Sequence, residues 1–422
     1  METYDVVIVG AGPAGLSAAI ELSRYPKLNC LIIDKNDFLD VSTRSWSTFD
    51  SFLKKQGYLS SGVYKLNHIL FRSLRKSEVK IDMGKDPIWV LDEQKFKELM
   101  LKKVKIKKAE KTEVKKIIKE YNRVFVHTNK GKLATKILLD ASGDAGLCRE
   151  RFGIKVTTKV YFKCRLYENC NFHSDIAPWG IALTKKKKNS AFIAGWVEPY
   201  SNSKVLLATE AYSHKPVSQA LHRKVLNIFM KDPQFNKIFE GAKKVREWNA
   251  TISLTPQERG AFDNILLVGD AGVQSRPFVV EGLRPAIEEG VVAAKVAAKA
   301  IRLKNYSYKV LREYEEKFIH NLKFHENQEL ASIFQMLFIE LDDKEFDRFF
   351  AEINNLDKKT LLKVLRGELE ISDLPKIYKA IHNVVPISEL IHRLPKKYKH
   401  KFMQRVELYL KDEFEELIHK II

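Results

Sequence analysis

The first thirty-four residues constrain the fold most, because they combine two apolar runs with one glycine-rich turn. The run at 4–9 predicts a buried parallel strand, and the segment 16–22 predicts a helix rich in small residues. Between them, the first glycine permits a tight turn, the second lets a pyrophosphate approach the backbone, and the third lets helix and strand pack closely. The turn residues are Gly10, Gly12, Pro13, Ala14 and Gly15.

A second apolar strand at 30–33 ends in Asp34, where a carboxylate can accept hydrogen bonds from ribose hydroxyls. Helix N-termini also favour phosphate groups, because their N–H groups are free and the helix dipole is positive there. The sequence therefore predicts a dinucleotide-binding unit. The alternative is an ordinary glycine-rich turn with a surface aspartate.

Two further strand ends carry carboxylates and glycines. The run 137–140 ends in Asp140 and leads to Gly143, and the run 265–268 leads to Gly269, Asp270 and Gly272. A helix of small residues follows at 286–301, preceded by Gly282 and Leu283. Ligands of open α/β sheets bind at the carboxyl ends of the strands. A second half-site with a carboxylate suits the long ribityl chain of a flavin better than a nicotinamide cofactor alone.

The loop after the second strand supplies further candidates. Lys35 directly follows Asp34, and Arg44 and Trp46 lie in a stretch with many hydroxyl groups. In a flavoprotein of this topology the loop passes over the cofactor, so we expect a pyrophosphate contact from Arg44 and a pocket wall from Trp46. The alternatives are a solvated arginine and a tryptophan packed in the core.

Composition limits the classes of protein that fit. The chain has 422 residues with 45% hydrophobic and 30% charged side chains, as expected of a globular protein with two or three domains. No apolar run approaches the roughly 18 residues of a membrane span. The first strand starts too early for a signal peptide, and the four cysteines lack metal or disulfide spacing. We expect no metal site and a cytoplasmic location.

A net charge of +20 comes mainly from lysine, concentrated at 102–119, 185–188 and 396–401. Solvated lysine-rich faces are one explanation, and attraction to anionic lipid head groups is the other. Because no nucleic-acid-binding motif accompanies the charge, we expect no nucleic acid partner.

The order of elements predicts a nucleotide domain that is interrupted. It comprises residues 1–154, with a small inserted segment at about 42–90, and returns at 256–305. Residues 155–255 are mostly β and form the predicted substrate domain, which contains Trp179 and Trp196. Residues 306–422 are predicted to be helical. Core packing is the alternative role for each tryptophan.

These motifs resemble the FAD-dependent geranylgeranyl reductase family, in the flavoprotein group built like aromatic hydroxylases. The resemblance covers about residues 1–370 and rests on 9–15, on 139–143, and on 268–272 with 281–286. It implies an α/β fold with a Rossmann-like FAD-binding domain, an inserted antiparallel β-sheet substrate domain and a C-terminal helical region. It also implies FAD as cofactor and reduction of C=C bonds in a prenyl lipid.

Three departures from the archaeal members concern the substrate more than the cofactor. The family's Cys-Gly pair would fall near Arg44, where this sequence has no cysteine. The aromatic segment that lines the prenyl tunnel corresponds to 179–185, which keeps one aromatic residue and Lys185. The triple glycine after the Gly-Asp loop is reduced to Val280, Glu281 and Gly282.

Several functions remain open on the sequence. A flavin monooxygenase shares the fold, and a flavin- or lipid-binding protein without turnover would need no catalytic group. A halogenase is disfavoured because the motif Gly-x-Trp-x-x-Ile is missing. The electron donor, NAD(P)H or ferredoxin, is not identified. The phenylalanines at 334–350 suggest a long apolar substrate between the β block and the tail, with simple burial of a helical hairpin as the alternative.

Overall fold

The computed structural model describes most of the chain up to residue 393. The described residues are 1–40, 46–73, 77–156, 159–174, 176–184, 191–213, 217–253, 259–272, 282–319, 341–366, 368, 370, 373–386, 389 and 392–393.

The strands lie mainly in the first two thirds of the chain. In chain order they are β1 Glu2–Val9, β2 Cys30–Ile33, β3 Ser47–Phe49, β4 Gly62–Leu66, β5 His68–Arg72, β6 Glu78–Asp82, β7 Ile88–Leu91, β8 Lys107–Ala109, β9 Val114–Glu120, β10 Arg123–Thr128, β11 Gly131–Asp140, β12 Lys159–Glu168, β13 Ile176–Thr184, β14 Ala191–Ser201, β15 Lys204–Ser213, β16 Lys243–Ser253, β17 Ala261–Phe262 and β18 Ile265–Leu267.

The helices flank the sheets and then dominate the described part of the tail. They are α1 Pro13–Leu22, α2 Asp50–Gln56, α3 Glu93–Leu101, α4 Gln219–Lys231, α5 Pro233–Phe239, α6 Leu283–Arg302, α7 Tyr308–Leu311, α8 Asp343–Ile353, α9 Lys358–Arg366 and α10 Leu374–His382.

The first sheet is the predicted parallel sheet. Its strands run in the order β18, β11, β1, β2, β8, all parallel, and β17 pairs with β18 in the antiparallel sense. Its central strands are buried on both faces, which explains their unbroken Val, Ile and Leu composition. Helices α1 and α6 cover one face. The two helices are so close at Gly290 that a Cβ there would lie 2.1 Å from Ser17 Oγ, and glycine permits this approach.

The second sheet contains seven strands in the order β16, β12, β15, β14, β13, β5, β6. Its last two strands come from the segment that we predicted as a separate insertion at about 42–90. Strand β5 pairs in parallel with β13, more than 100 residues later. Strands β3, β7 and β4 form a small sheet of their own. Alternation along the sequence predicts the strands themselves, but it does not predict that segments as distant as β5 and β13 will pair.

The two faces of the second sheet have different neighbours. Helices α4 and α5 pack on one face, where a Cβ at Gly195 would lie 2.2 Å from the Phe229 ring. The opposite face is also apolar, and we call it the apolar sheet face. Its described members are Val160, Phe162, Cys164, Leu206, Ala208, Tyr212 and Ile252, with Trp196 and Trp248 partly buried beside them.

The described tail is helical, as predicted. Helix α8 begins at a capping box, in which Asp342 accepts from the Glu345 N–H and the Glu345 side chain accepts from the Asp342 N–H. Phe346, Phe349 and Phe350 are buried on its inner side, whereas the predicted apolar stripe around 334–338 lies outside the described residues. Among the described residues, we find no helix with the length and hydropathy needed to cross a membrane. The predicted fold class is confirmed.

Candidate functional site

The glycine-rich turn joins β1 to α1 at the carboxyl edge of the parallel sheet. Gly10 has a φ of +107°, and a Cβ there would lie 2.3 Å from the Ala141 carbonyl oxygen. A Cβ at Gly15 would lie 1.8 Å from the Gly10 carbonyl oxygen, so neither position tolerates a side chain. A Cβ at Gly12 would meet no atom within 4 Å. Gly12 therefore faces open space where a ligand can approach.

Helix α1 starts at Pro13, directly after Gly12, and no side chain caps it. Its first N–H groups, from Ala14 onward, therefore keep their capacity to bind an anion. Open space before an uncapped helix N-terminus is the geometry that a pyrophosphate requires.

Asp34 lies beside this turn at the end of β2. One carboxylate oxygen accepts a hydrogen bond from the Ala11 N–H at 2.7 Å, and the other accepts from the Asn36 N–H at 2.9 Å. Each oxygen has a second lone pair, so the same carboxylate can also accept from ribose hydroxyls. The neighbouring Lys35 is exposed.

Asp140, at the end of β11, has a different environment from Asp34. Its side chain is fully buried and accepts from the Ser142 N–H, the Ser142 hydroxyl and the Cys148 N–H. These bonds shape the loop that follows, and the predicted contact of Asp140 with a cofactor stays a prediction. Gly143, with a φ of +68°, has open space where a Cβ would be.

Arg149, which sequence analysis missed, joins this loop to the Gly-Asp loop after β18. The guanidinium is buried and donates to the carbonyl oxygens of Gly143 and Asp144 on one side, at 3.2 and 3.0 Å. On the other side it donates to the carbonyl oxygens of Asp270 and Ala271. One cation therefore fixes two loops that lie more than 100 residues apart. No pattern in the sequence around Arg149 predicts that role.

Hydrogen bonds to Glu289, which is itself bonded to Tyr314, also fix the Gly-Asp loop. The Gly269 N–H donates to Glu289 Oε2 at 2.6 Å, and Tyr314 bonds both the other Glu289 oxygen and the Leu267 carbonyl oxygen. Burial raises the pKa of the Glu289 carboxyl well above its usual value. A protonated Glu289 satisfies this arrangement, since the Tyr314 hydroxyl has one proton and two acceptors. Glu289 was detectable in the sequence as an acid on the buried face of an otherwise apolar helix.

The nucleotide sheet and the second sheet meet at Asp144. Its carboxylate accepts from the Ser253 hydroxyl at 2.5 Å and from the Thr251 hydroxyl, both on β16. The candidate cofactor loops therefore contact the end of the second sheet directly.

The predicted substrate residues are distributed unevenly. Trp46 packs edge-on against Phe96 at 5.7 Å, in the core of the nucleotide domain. Trp196 lies on the apolar sheet face, edge-on to Phe162 at 5.8 Å. The backbone of Trp179 is paired with Trp196 across β13 and β14. Arg44 and Lys185 lie outside the described residues.

Gly282 precedes α6 as its N-cap and Leu283 is the first helical residue, with no side-chain cap among the described residues. Asp270 and Gly272 lie in the turn Gly269–Gly272 after β18. Three loops and the N-termini of two helices thus follow the carboxyl ends of strands in one parallel sheet.

The fold and these loops define an α/β protein with a Rossmann-like parallel sheet and a second, largely antiparallel sheet. The chain belongs to the lycopene cyclase protein family, because the sequence profile of that family matches residues 5–391.

Relatives and solved structures agree with this assignment. Digeranylgeranylglycerophospholipid reductase 1 of Methanococcoides burtonii is 24% identical over 383 residues, which cover 85% of this chain and 90% of that protein. The structure of a geranylgeranyl bacteriochlorophyll reductase-like protein from Thermoplasma acidophilum has a TM-score of 0.75 at 20% identity, covering 93% of this chain and 100% of that one. The flavin-dependent brominase Bmp2 has a TM-score of 0.69 at 18% identity, covering 90% and 98%.

At these identities the solved structures establish the fold alone. The family and the archaeal relatives confirm the predicted relation to geranylgeranyl reductases and the predicted class, a flavin-dependent oxidoreductase.

Replacing Arg149 with methionine tests its role in the site. Four loop carbonyls would lose a charged donor, so we expect the free energy of unfolding to fall by about 2–3 kcal/mol. We also expect flavin affinity to fall at least about tenfold, measured by calorimetric titration of the folded variant. Arg151→Met is the matched control, because Arg151 is exposed two residues away. Equal flavin affinity in the two variants would exclude this bridging role.

Proposed function

We propose that the protein binds FAD and reduces C=C bonds of a prenyl or similarly long apolar lipid. The observation that carries the cofactor part is the open space at Gly12 in front of the uncapped helix α1, with Asp34 beside it. Gly12 and the α1 N-terminus would hold the pyrophosphate, Asp34 the adenosine ribose, and the loop around Asp270 the ribityl chain. Bound reduced flavin would supply a hydride.

The apolar sheet face supports the proposal of a lipid substrate. Its aliphatic and aromatic side chains belong to β12, β14, β15 and β16. The end of β16 contacts the candidate flavin loops through Thr251 and Ser253, whose side chains lie on the other face of the strand. A long apolar chain gains about 0.8 kcal/mol for each CH₂ removed from water. The names of the archaeal relatives, digeranylgeranylglycerophospholipid reductases, point to the same substrate class.

The alternatives differ in what reoxidises the flavin. A monooxygenase would consume oxygen together with a hydroxylatable substrate, and a protein without turnover would respond to neither a lipid nor an aromatic substrate. The similarity to a brominase keeps oxygen chemistry as the second candidate. The electron donor, either NAD(P)H or ferredoxin, stays a prediction.

Cofactor identity is tested by reconstitution. We expect a yellow protein whose flavin is released by denaturation and identified as FAD, and a thermal midpoint that rises with added FAD because the ligand binds the folded state. Stabilisation by NAD but not by FAD would overturn the cofactor assignment.

Peripheral attachment to anionic membranes is a further prediction, based on the basic segment 102–119. Lys102, Lys105 and Lys108 are exposed there. Each lysine near an anionic surface contributes about 1 kcal/mol, so replacing all three with glutamine should weaken vesicle binding roughly hundredfold at low salt. Added salt should weaken the wild type similarly, since the Debye length is about 10 Å at 0.1 M.

A matched triple variant controls for total charge. Lys224, Lys231 and Lys237 are exposed on α4 and α5, and their replacement should have little effect on vesicle sedimentation. Equal binding to neutral and anionic vesicles would refute an electrostatic attachment.

A further inference from the structure

Arg284 lies where helix α6 meets the tail. It is the second residue of α6, directly after Gly282 and Leu283, which we predict to contact the cofactor. Its side chain is buried, and the guanidinium donates to the Arg366 carbonyl oxygen at 2.9 Å. Arg366 is the last residue of α9, so a cation in the first turn of one helix caps the C-terminal end of another. The negative end of the α9 dipole favours this contact.

Phe49 completes this junction. Both guanidinium groups lie over its ring, with the Arg284 Cζ 4.6 Å and the Arg366 Cζ 5.4 Å from the ring centroid. Phe49 is buried and is the last residue of β3, three residues after Trp46. Cation–π contacts are stronger where the cation is desolvated. We call Phe49, Arg284 and Arg366 the tail junction.

The charge of Arg366 is balanced beside Arg284. Its Nη2 donates to Asp86 Oδ2 at 3.0 Å, and Asp86 also accepts from the Ser51 N–H at 2.7 Å and the Ser51 hydroxyl at 2.9 Å. Ser51 lies in the first turn of α2, which begins directly after Phe49. The tail junction therefore connects three helices, α2, α6 and α9, and only α6 begins at predicted cofactor residues.

Polar side chains also attach the tail to the edge strand β6 of the second sheet. The Asn354 amide donates to the Glu78 carbonyl oxygen at 2.6 Å, and Lys358 pairs with Asp82 at 2.7 Å. Helix α8 lies against β6 and against β13, which contains most of the segment 179–185 that the family resemblance assigns to the prenyl tunnel. Polar interfaces within a chain permit relative motion. The docked tail is therefore beside the proposed substrate region, attached by contacts that can open.

We propose that Arg284 is a positioning residue that couples cofactor binding at the N-terminus of α6 to docking of the tail helices α8 and α9. This inference rests on the proposed function, because it requires FAD beside α6. A bound cofactor fixes the first turn of α6, and Arg284 in that turn then presents its guanidinium to α9 in one orientation. Coupling between two sites is reciprocal, so a docked tail also favours cofactor binding.

Hydrogen–deuterium exchange of the full chain, with and without FAD, measures docking directly. In the wild type, FAD should slow amide exchange within 343–366 about fivefold or more, the lower end of usual coupling strengths. Arg284→Gln keeps a long polar side chain but removes the charge and the planar stacking group. In that variant FAD should change the same rates by less than about twofold.

Lys358→Gln is the matched control, because it also removes a cation between the tail and the rest of the chain. The Lys358–Asp82 pair is largely exposed and makes no contact with α6, so its contribution is small. FAD should therefore slow exchange within 343–366 in this variant as much as in the wild type. Arg284→Lys keeps the charge without the planar group and should show an intermediate effect. It replaces the glutamine variant in the comparison if that variant does not fold.

Steady-state kinetics separates positioning from general stability. If substrate binds well only when the tail is docked, a smaller docked fraction raises KM in proportion and leaves kcat unchanged. At saturating FAD, Arg284→Gln should therefore raise the KM for geranylgeranyl diphosphate about fivefold or more. Reoxidation of the reduced flavin by oxygen should match the wild type, and Lys358→Gln should match it in both respects.

Different failures have different meanings. A wild type that binds FAD without slower exchange in the tail would overturn this inference alone, and so would an Arg284→Gln variant whose tail FAD protects fully. A wild type that binds no FAD would overturn the cofactor assignment together with this inference. Protection of the tail by FAD that depends on Arg284, in a protein that reduces no prenyl substrate, would support the coupling and overturn the proposed reaction.

Discussion

Replacement of Gly15 with alanine should destabilise the fold and abolish flavin binding. The added methyl group would lie 1.8 Å from the Gly10 carbonyl oxygen, and since the contact is with backbone, the helix α1 must move away from β1. Overpacking of this kind costs about 1–3 kcal/mol. We expect a lower thermal midpoint of the cofactor-free protein and no flavin retained after purification.

Gly12→Ala is the matched variant, because it adds the same methyl group on the same turn. Gly12 has a φ of −75° and no atom within 4 Å of the added Cβ, so the cofactor-free protein should unfold like the wild type. FAD affinity should nevertheless fall by about tenfold or more, because the methyl group occupies the space that a pyrophosphate would fill. Unchanged FAD affinity would contradict this placement of the cofactor.

Substrate length should have the second large effect. Burial of one five-carbon unit is worth up to about 4 kcal/mol at 0.8 kcal/mol per CH₂, and ordering costs reduce that gain. If a quarter of it survives, affinity should rise about fivefold for each unit from C10 to C20 and then level off. The measurement is reoxidation of reduced flavin at subsaturating substrate.

Two results would count against a long apolar channel. One is an equal response to C10, C15 and C20 substrates, and the other is efficient turnover of a small hydroxylated aromatic compound, which would favour the monooxygenase. The non-catalytic alternative predicts binding of prenyl compounds without any flavin reoxidation.

The parallel sheet could be predicted because its evidence is local. The run at 4–9, the turn at 10–15 and Asp34 fix a βαβ unit by spacing and periodicity, and β11 and β18 repeat the pattern of an apolar strand ending in a glycine loop. Helix α2, Asp50–Gln56, ends where glycine is expected, at Gly57 in the left-handed conformation.

The second sheet could be predicted only in part. The strands themselves can be predicted from the alternation of polar and apolar residues. The parallel pairing of β5 with β13 cannot, because it joins distant segments and neither sequence contains a signal for the other. The same reason explains why Arg149 was missed. A buried arginine differs from a solvated one by its partners, and the partners around Asp270 lie about 120 positions later.

One anaerobic experiment tests the central claim most directly. The FAD-loaded protein is photoreduced, then mixed with geranylgeranyl diphosphate, with a hydroxylated aromatic compound, or with buffer alone, and the flavin absorbance is followed. We expect reoxidation by the prenyl compound in the absence of oxygen, with recovery of a product two hydrogens heavier per flavin oxidised. Flavin that stays reduced with the prenyl compound, and is reoxidised when oxygen and the aromatic compound are added with hydroxylation of the latter, would contradict the account.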